Sequence, residues 1–223
     1  MVAVPKELDA LVAGRGGQPV AFGPMGGVAM GTPAGEVVVV AGGVGVAACA
    51  AATATILARE QFDLVVSAGI AGGFGAPIGS IVVAARSLAA DLGCQTDEAF
   101  LSLSEMGLGI DAYDVPRDWA DELLARAGKT GLMVCLGDIG TVSTITGTAA
   151  GEREHRLRNG AAAEAMEGFG VATAAALAGV PFVEVRAVSN TVGPRNVATW
   201  RTADALAAIG TVLTAVFAER WPW

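Results

Sequence analysis

Glu167 and Asn190 are the residues of this chain whose setting asks for a chemical explanation. Glu167 stands at the head of an apolar segment, Gly168-Phe169-Gly170-Val171-Ala172-Thr173-Ala174-Ala175-Ala176-Leu177-Ala178, with no cation for several turns after it. A carboxylate buried there without polar partners is costly, and a ligand hydroxyl would satisfy it. Asn190 follows Ser189 at the end of the apolar run 182–188, where it could serve the same ligand. A third candidate, Glu7, lies just after Pro5 in the first turn of a helix. An acid suits the helix dipole there and needs no further role on that ground alone.

The elements that must position these residues are strands and helices in alternation. Apolar runs at 37–41, 64–68, 80–85, 132–136 and 182–188 read as buried strands, with 20–22 a shorter one. Alanine-rich helices are expected at 46–59, 119–127, 163–178 and 202–219, and residues 2–4 make the stub of a first strand. Continuous rather than alternating apolar strands imply a sheet covered on both faces. The expected fold is therefore α/β, one domain over residues 1–223 with a mostly parallel sheet. Ligands in such folds collect at the carboxyl ends of strands. Residues 91–109 form a polar excursion suited to a lid or an oligomer contact.

Composition removes several functions. Hydrophobic residues are 53% and charged residues 16%, so the chain has the material for a core and is not disordered. A net charge of −8 argues against nucleic acid as a partner, because phosphates need a basic surface. Cys49, Cys94 and Cys135 are widely spaced and His155 is the single histidine, so neither a zinc site nor a disulfide framework is supported. Buried thiols fit a reducing cytoplasm. The uncharged windows 37–58 and 64–85 are long enough to span a bilayer, but both are broken by glycines, so no membrane association is expected. Gly43-Val44-Gly45-Val46-Ala47-Ala48 fits a dinucleotide fingerprint, yet Asp63 precedes the next strand instead of ending it. A tight turn is the better reading, and no cofactor is expected. Ser67-Ala68-Gly69-Ile70-Ala71-Gly72-Gly73 is a second glycine-rich strand end, equally an irregular connection and a place where backbone N–H groups meet a ligand.

Taken together, Ala68-Gly69-Ile70-Ala71-Gly72-Gly73, Met166-Glu167, and Val180-Pro181-Phe182-Val183 followed by Arg186-Ala187-Val188-Ser189-Asn190 resemble the nucleoside phosphorylase and nucleosidase superfamily. The resemblance runs over nearly the whole chain. It implies a three-layer α/β/α fold with a mixed, mostly parallel central sheet that cleaves the N-glycosidic bond of a ribonucleoside. Within the superfamily the chain looks most like the futalosine hydrolases of the futalosine route to menaquinone. Ala3-Val4-Pro5-Lys6-Glu7, the stretch Thr141 to Thr148, Met166-Glu167-Gly168 and Ser189-Asn190-Thr191-Val192-Gly193-Pro194-Arg195-Asn196 carry that likeness. It implies that Glu7 helps activate water, that Glu167 binds the ribose hydroxyls and that Asn190 contacts the purine. Ile70, Ala71, Gly72, Thr146, Met166 and Ser189 join them as substrate-binding positions, and a homo-oligomer is implied as well.

Chemistry independent of the likeness supports these roles. Cleaving a ribosidic bond builds oxocarbenium charge on the sugar, which a carboxylate on the hydroxyls stabilises. The amide NH₂ of Asn190 can donate to the carbonyl of a 6-oxopurine, where an aspartate would suit a 6-aminopurine; hypoxanthine is the expected base. Related phosphorylases place an arginine at the position of Ser67 and a serine at that of Ile70, whereas no Lys or Arg occurs between Arg59 and Arg86. Water is thus the expected nucleophile. The substrate implied carries an aromatic carboxylate on its sugar side chain; Arg195 is the expected counter-ion, with Arg201 next. Relatives stack an aromatic residue on the purine from the segment matching Thr144-Ile145-Thr146-Gly147, which has none, so Phe74 or Trp200 would have to substitute. His155 reads as a solvated helix residue. The competing readings are another nucleosidase or phosphorylase acting on inosine or methylthioadenosine-type substrates, and a nucleoside-binding protein without catalysis.

Overall fold

The computed structural model describes residues 1–222. Helix α1 (Pro5–Val12) precedes an antiparallel meander of β1 (Gln18–Phe22), β2 (Met25–Thr32) and β3 (Gly35–Val40), and α2 (Val46–Leu57) follows. Strands β4 (Val65–Gly73) and β5 (Ile81–Ala89) come next, then a small hairpin of β6 (Gly93–Gln95) and β7 (Phe100–Ser102) and the short β8 (Ala112–Asp114). The rest is α3 (Arg117–Gly128), β9 (Val134–Thr141), α4 (Ala149–Asn159), β10 (Ala163–Ala165), α5 (Gly168–Ala178), β11 (Phe182–Thr191) and α6 (Thr202–Val216).

The central sheet is mixed, and it closes on itself. Its long ladders, β4–β11 and β5–β9, are parallel, as is the short β9–β10 pair. Two short antiparallel pairings, β10–β4 and β11–β5, complete a ring of five strands, and β8 adds antiparallel to β5. Closure was not foreseen, because β10 was hidden in the expected helix 163–178. That segment divides into strand Ala163–Ala165 and helix Gly168–Ala178.

Helices cover both sides. Helices α2 and α5 pack on each other, and α5 lies on β4, β5, β9 and β11. On the other side α6 contacts α1, α3, β4 and β11, while α3 covers β5 and β9. Ile81, Leu123, Ile139, Val183 and Ile209 are wholly buried between the layers. Helices α2 and α5 approach closely because Gly170 has no side chain: a Cβ there would lie 2.3 Å from the Val46 carbonyl oxygen.

The strand stub expected at residues 2–4 reduces to a single parallel bridge, Val2 with Ala41, and Val4 is already the N-cap of α1. The Met1 ammonium donates to Val66 O at 2.7 Å and Ala68 N donates to Met1 O at 3.0 Å, while Val2 N donates to Val40 O at 3.0 Å. These bonds stitch the meander to the ring. Strand β2 was missed because Met25-Gly26-Gly27-Val28-Ala29-Met30-Gly31-Thr32 is too glycine-rich to read as a strand. Residues 91–109 are anchored rather than loose at their start, where Asp91 Oδ2 accepts from Ser143 N at 2.6 Å.

Candidate functional site

A cavity opens at the carboxyl ends of β4 and β11, roofed by the segment after β9 and by α1. Strand β4 organises it in two rows. The inner row lies at Gly69, whose partner on β11 is Arg186. A Cβ on Gly69 would sit 2.5 Å from Glu7 Oε1 and 2.9 Å from an Arg186 guanidinium nitrogen, so glycine is required for the carboxylate and guanidinium to lie over the strand.

Glu7 is buried, not solvated in its helical turn. From position N3 of α1 it reaches back to the Val4 N–H at 3.2 Å, half of a capping box, and accepts from Ala3 N at 2.9 Å. Its other oxygen accepts from Ile70 N at 3.0 Å and faces the cavity. The helix-cap role and exposure to a ligand are thus compatible in one side chain.

Glu167 is the residue before α5, at its N-cap, where a negative charge is favoured. Burial there is resolved by partners from three elements. Oε1 accepts from Gly45 N at 3.3 Å; Oε2 accepts from Met166 N at 3.3 Å and from Arg186 at 3.2 Å. The glycine pair that mimicked a dinucleotide motif forms the turn that brings Gly45 N–H to this carboxylate, with φ of +97° at Gly43 and +95° at Gly45. The cation missing from the sequence around Glu167 is Arg186, which arrives from β11.

Arg186 is fully buried among carboxylates. Its Nε donates to Glu184 at 2.9 Å and its remaining nitrogen to Ser67 Oγ at 3.0 Å. Burial opposes the charge, but Glu184, Glu167 and Glu7 outweigh it and push its pKa above the ordinary arginine value. Burial pushes the Glu184 carboxyl up, with Arg186 pulling against it. Glu184 in turn presses on Gly168, where a Cβ would lie 2.2 Å from its oxygens; this explains the glycine after Met166-Glu167.

The outer row lies at Gly72, with Asn190 of β11 on one side and Glu164 of β10 on the other. Asn190 Nδ2 donates one hydrogen to Thr191 O at 3.0 Å, and its Oδ1 accepts from Ser189 at 2.8 Å. A second Nδ2 hydrogen remains, and Asn190 lines the cavity. Glu164 is buried and was missed because the sequence placed it inside a helix. It accepts from Thr146 N at 2.8 Å and Thr146 Oγ1 at 2.5 Å, fixing the segment after β9.

The structure brings the remaining expected positions Ile70, Ala71, Gly72, Thr146, Met166 and Ser189 to the same cavity as Glu7, Glu167 and Asn190. Arg195 is at its rim beside Trp200, its guanidinium 5.8 Å from the ring centre. Arg201 is not in the wall; it pairs with Asp204 on the surface. Of the two aromatic substitutes, Trp200 lines the cavity, whereas Phe74 is buried with Leu88, Ala161 and Val192. His155 is not solvated. It is half-buried, with Nδ1 3.9 Å from Glu164 Oε2. Burial pushes its pKa below the ordinary histidine value, with Arg158 adding to the effect. Among the described residues Arg195 is the one cation lining the cavity, and no cluster of His, Cys, Asp and Glu could hold a metal. Cys49, Cys94 and Cys135 are free thiols, and no described helix is long and apolar enough to cross a membrane.

The phosphorylase superfamily model matches residues 1–218. The chain is 51% identical to the futalosine hydrolase of Streptomyces coelicolor over 76% of this chain and 73% of that protein. It is 42% identical to the futalosine hydrolase of Acidothermus cellulolyticus over 92% and 84%, respectively. Among solved structures, the native futalosine hydrolase of Helicobacter pylori superposes with a TM-score of 0.86 at 15% identity, covering 96% of this chain and 94% of that one. The 5′-methylthioadenosine/S-adenosylhomocysteine nucleosidase of Neisseria meningitidis gives 0.84 at 21% identity, covering 97% and 96%. At such identities the structural matches speak to the fold.

Proposed function

The chain belongs to the phosphorylase superfamily and, within it, to the futalosine hydrolases, and from that premise we propose that it hydrolyses the N-glycosidic bond of futalosine, releasing hypoxanthine for menaquinone biosynthesis. One observation carries the site assignment: two buried carboxylates, Glu7 and Glu167, converge on the inner row of one cavity whose single lining cation among the described residues, Arg195, is at the rim. The arrangement suits a developing sugar cation and an attacking water. It suits a phosphate dianion poorly, since Arg186 is already engaged by Glu184, Glu167 and Ser67.

In this reading Glu167 accepts hydrogen bonds from the ribose hydroxyls, which strengthen as positive charge grows on the ring. Glu7 accepts a proton as water forms its bond to the anomeric carbon. The breaking C–N bond leaves its electron pair on the purine, and Asn190 stabilises that charge as a hydrogen-bond donor to the base. The base takes its proton from solvent. Arg195 pairs with the carboxylate of the substrate's side chain, and Trp200 beside it offers an apolar surface for the aromatic part. A cytoplasmic homo-oligomer completes the reading; the exposed Leu101, Leu108 and Ile110 around the β6–β7 hairpin supply apolar surface for a second copy. Light scattering on the purified protein tests the oligomer.

Chromatography of the purified protein incubated with futalosine, inosine and methylthioadenosine, with and without phosphate, tests the activity. Free hypoxanthine from futalosine alone, independent of phosphate, is the expected result. Phosphate-dependent formation of a ribose 1-phosphate compound would sink it. Glu7→Gln is expected to lower kcat by ~10² to 10⁴ while ligand binding persists. Unchanged turnover removes Glu7 from water activation.

A further inference from the structure

The outer row holds a carboxylate to which nothing above gives a ligand. Glu164 is 7% exposed, lines the cavity, and sits directly across Gly72 from Asn190. Adjacent strands are ~4.8 Å apart, so Glu164 and Asn190 rise from backbones about 10 Å apart on either side of Gly72. The space over Gly72 is taken by its neighbours: a Cβ there would lie 2.8 Å from Val192 and 3.3 Å from Asn190 Nδ2, so the glycine lets the Asn190 amide lean over the strand between the two residues. Both side chains line the cavity, so a flat ring edge meeting them from the cavity side occupies a slot with a donor on one side and an acceptor on the other.

The edge of a 6-oxopurine is the complement. It presents a carbonyl oxygen at C6, which accepts, beside an N1–H, which donates; a 6-aminopurine presents the reverse pair. Asn190 has one free amide hydrogen, and each Glu164 oxygen keeps a lone pair after binding Thr146. We propose that Glu164 is a specificity-determining residue that accepts the N1–H of the 6-oxopurine while Asn190 donates to its carbonyl. This rests on the hydrolase reading above and deepens it. A 6-aminopurine would aim its N1 lone pair at the carboxylate and its amino group at the Asn190 donor, so rejection is built from two mismatches, not one. The Thr146 bonds hold the carboxylate at the slot, with His155 behind it.

The competing role is structural, with Glu164 merely fixing the Thr146 segment. Glu164→Gln separates them, because a glutamine can turn its NH₂ toward N1. The measurement is kcat/KM on futalosine and on its 6-amino analogue for wild type and variant. The 6-oxo to 6-amino preference is expected to fall at least tenfold. Equal losses on both substrates would overturn the proposal in favour of the structural role. Should the variant not fold, product inhibition of the wild type decides: hypoxanthine should inhibit at least tenfold better than 1-methylhypoxanthine, and equal inhibition overturns the proposal. Wild-type inactivity on futalosine would instead defeat the hydrolase reading, while the two bases can still be compared by calorimetry.

Discussion

Arg186 shows how a buried cation can serve two carboxylates without cancelling both. Glu184, fully buried and outside the cavity lining, holds its Nε, so the guanidinium only partly offsets the charge of Glu167. Losing the cation would leave neighbouring carboxylates uncompensated, which costs several kcal/mol. Arg186→Met is therefore expected to lower stability by ~3 kcal/mol or more in urea denaturation; an unchanged midpoint would contradict the network. Arg195, at the rim, belongs to a different class of prediction. Arg195→Ala is expected to raise KM for futalosine about tenfold, from ~1.5 kcal/mol of charge-assisted bonding, with kcat nearly unchanged. His155 gives a pH dependence. Its folded-state pKa is depressed, so the fold binds fewer protons than the unfolded chain, and its stabilising contribution, present above the unfolded value of 6.5, is lost as pH falls below that and through the lower folded value. Arg158, Glu164, Glu154 and Asp91 face it. Melting temperature measured from pH 7.5 to 5.5 is expected to fall less in His155→Gln than in wild type.

At the scale of elements, strands that are apolar throughout were legible and strands made of small residues were not. The runs at 64–68 and 182–188 marked β4 and β11, although each strand extends further through polar or glycine residues that carry the site. Strand β10 is three residues long and flows into the N-cap of α5, so its helix-like composition concealed it. Glu164 disappeared with it. Glu7, Glu167 and Asn190 were visible because their motifs are local; the Arg186 to Glu167 and Glu164 to Gly72 contacts are long-range and leave no spacing to read. Close helix packing gives a test. Gly170→Ala would force α5 from α2 at the Val46 carbonyl, costing ~1–3 kcal/mol. That corresponds to roughly a few degrees to ten degrees of melting temperature in a chain of this size, readable by circular dichroism.

For the whole molecule, ring closure makes β4, β5, β9, β10 and β11 share their hydrogen-bonding partners, while the β1–β3 meander joins them through residues 1–2. Stability should therefore be uneven. Amide hydrogen exchange is expected to be slowest in β4 and β11 and faster in β1 and β2. Equal protection throughout would mean that the meander is as firmly integrated as the ring.

The spacing of Gly69 and Gly72 along one strand has an evolutionary corollary. The bond-breaking row and the base-reading row are held about 10 Å apart by the strand's own rise. Groups that far apart with no shared partner respond to substitution nearly independently. Base preference can therefore drift, or be redesigned, at Glu164 while the cleavage apparatus around Glu7 and Glu167 is inherited intact.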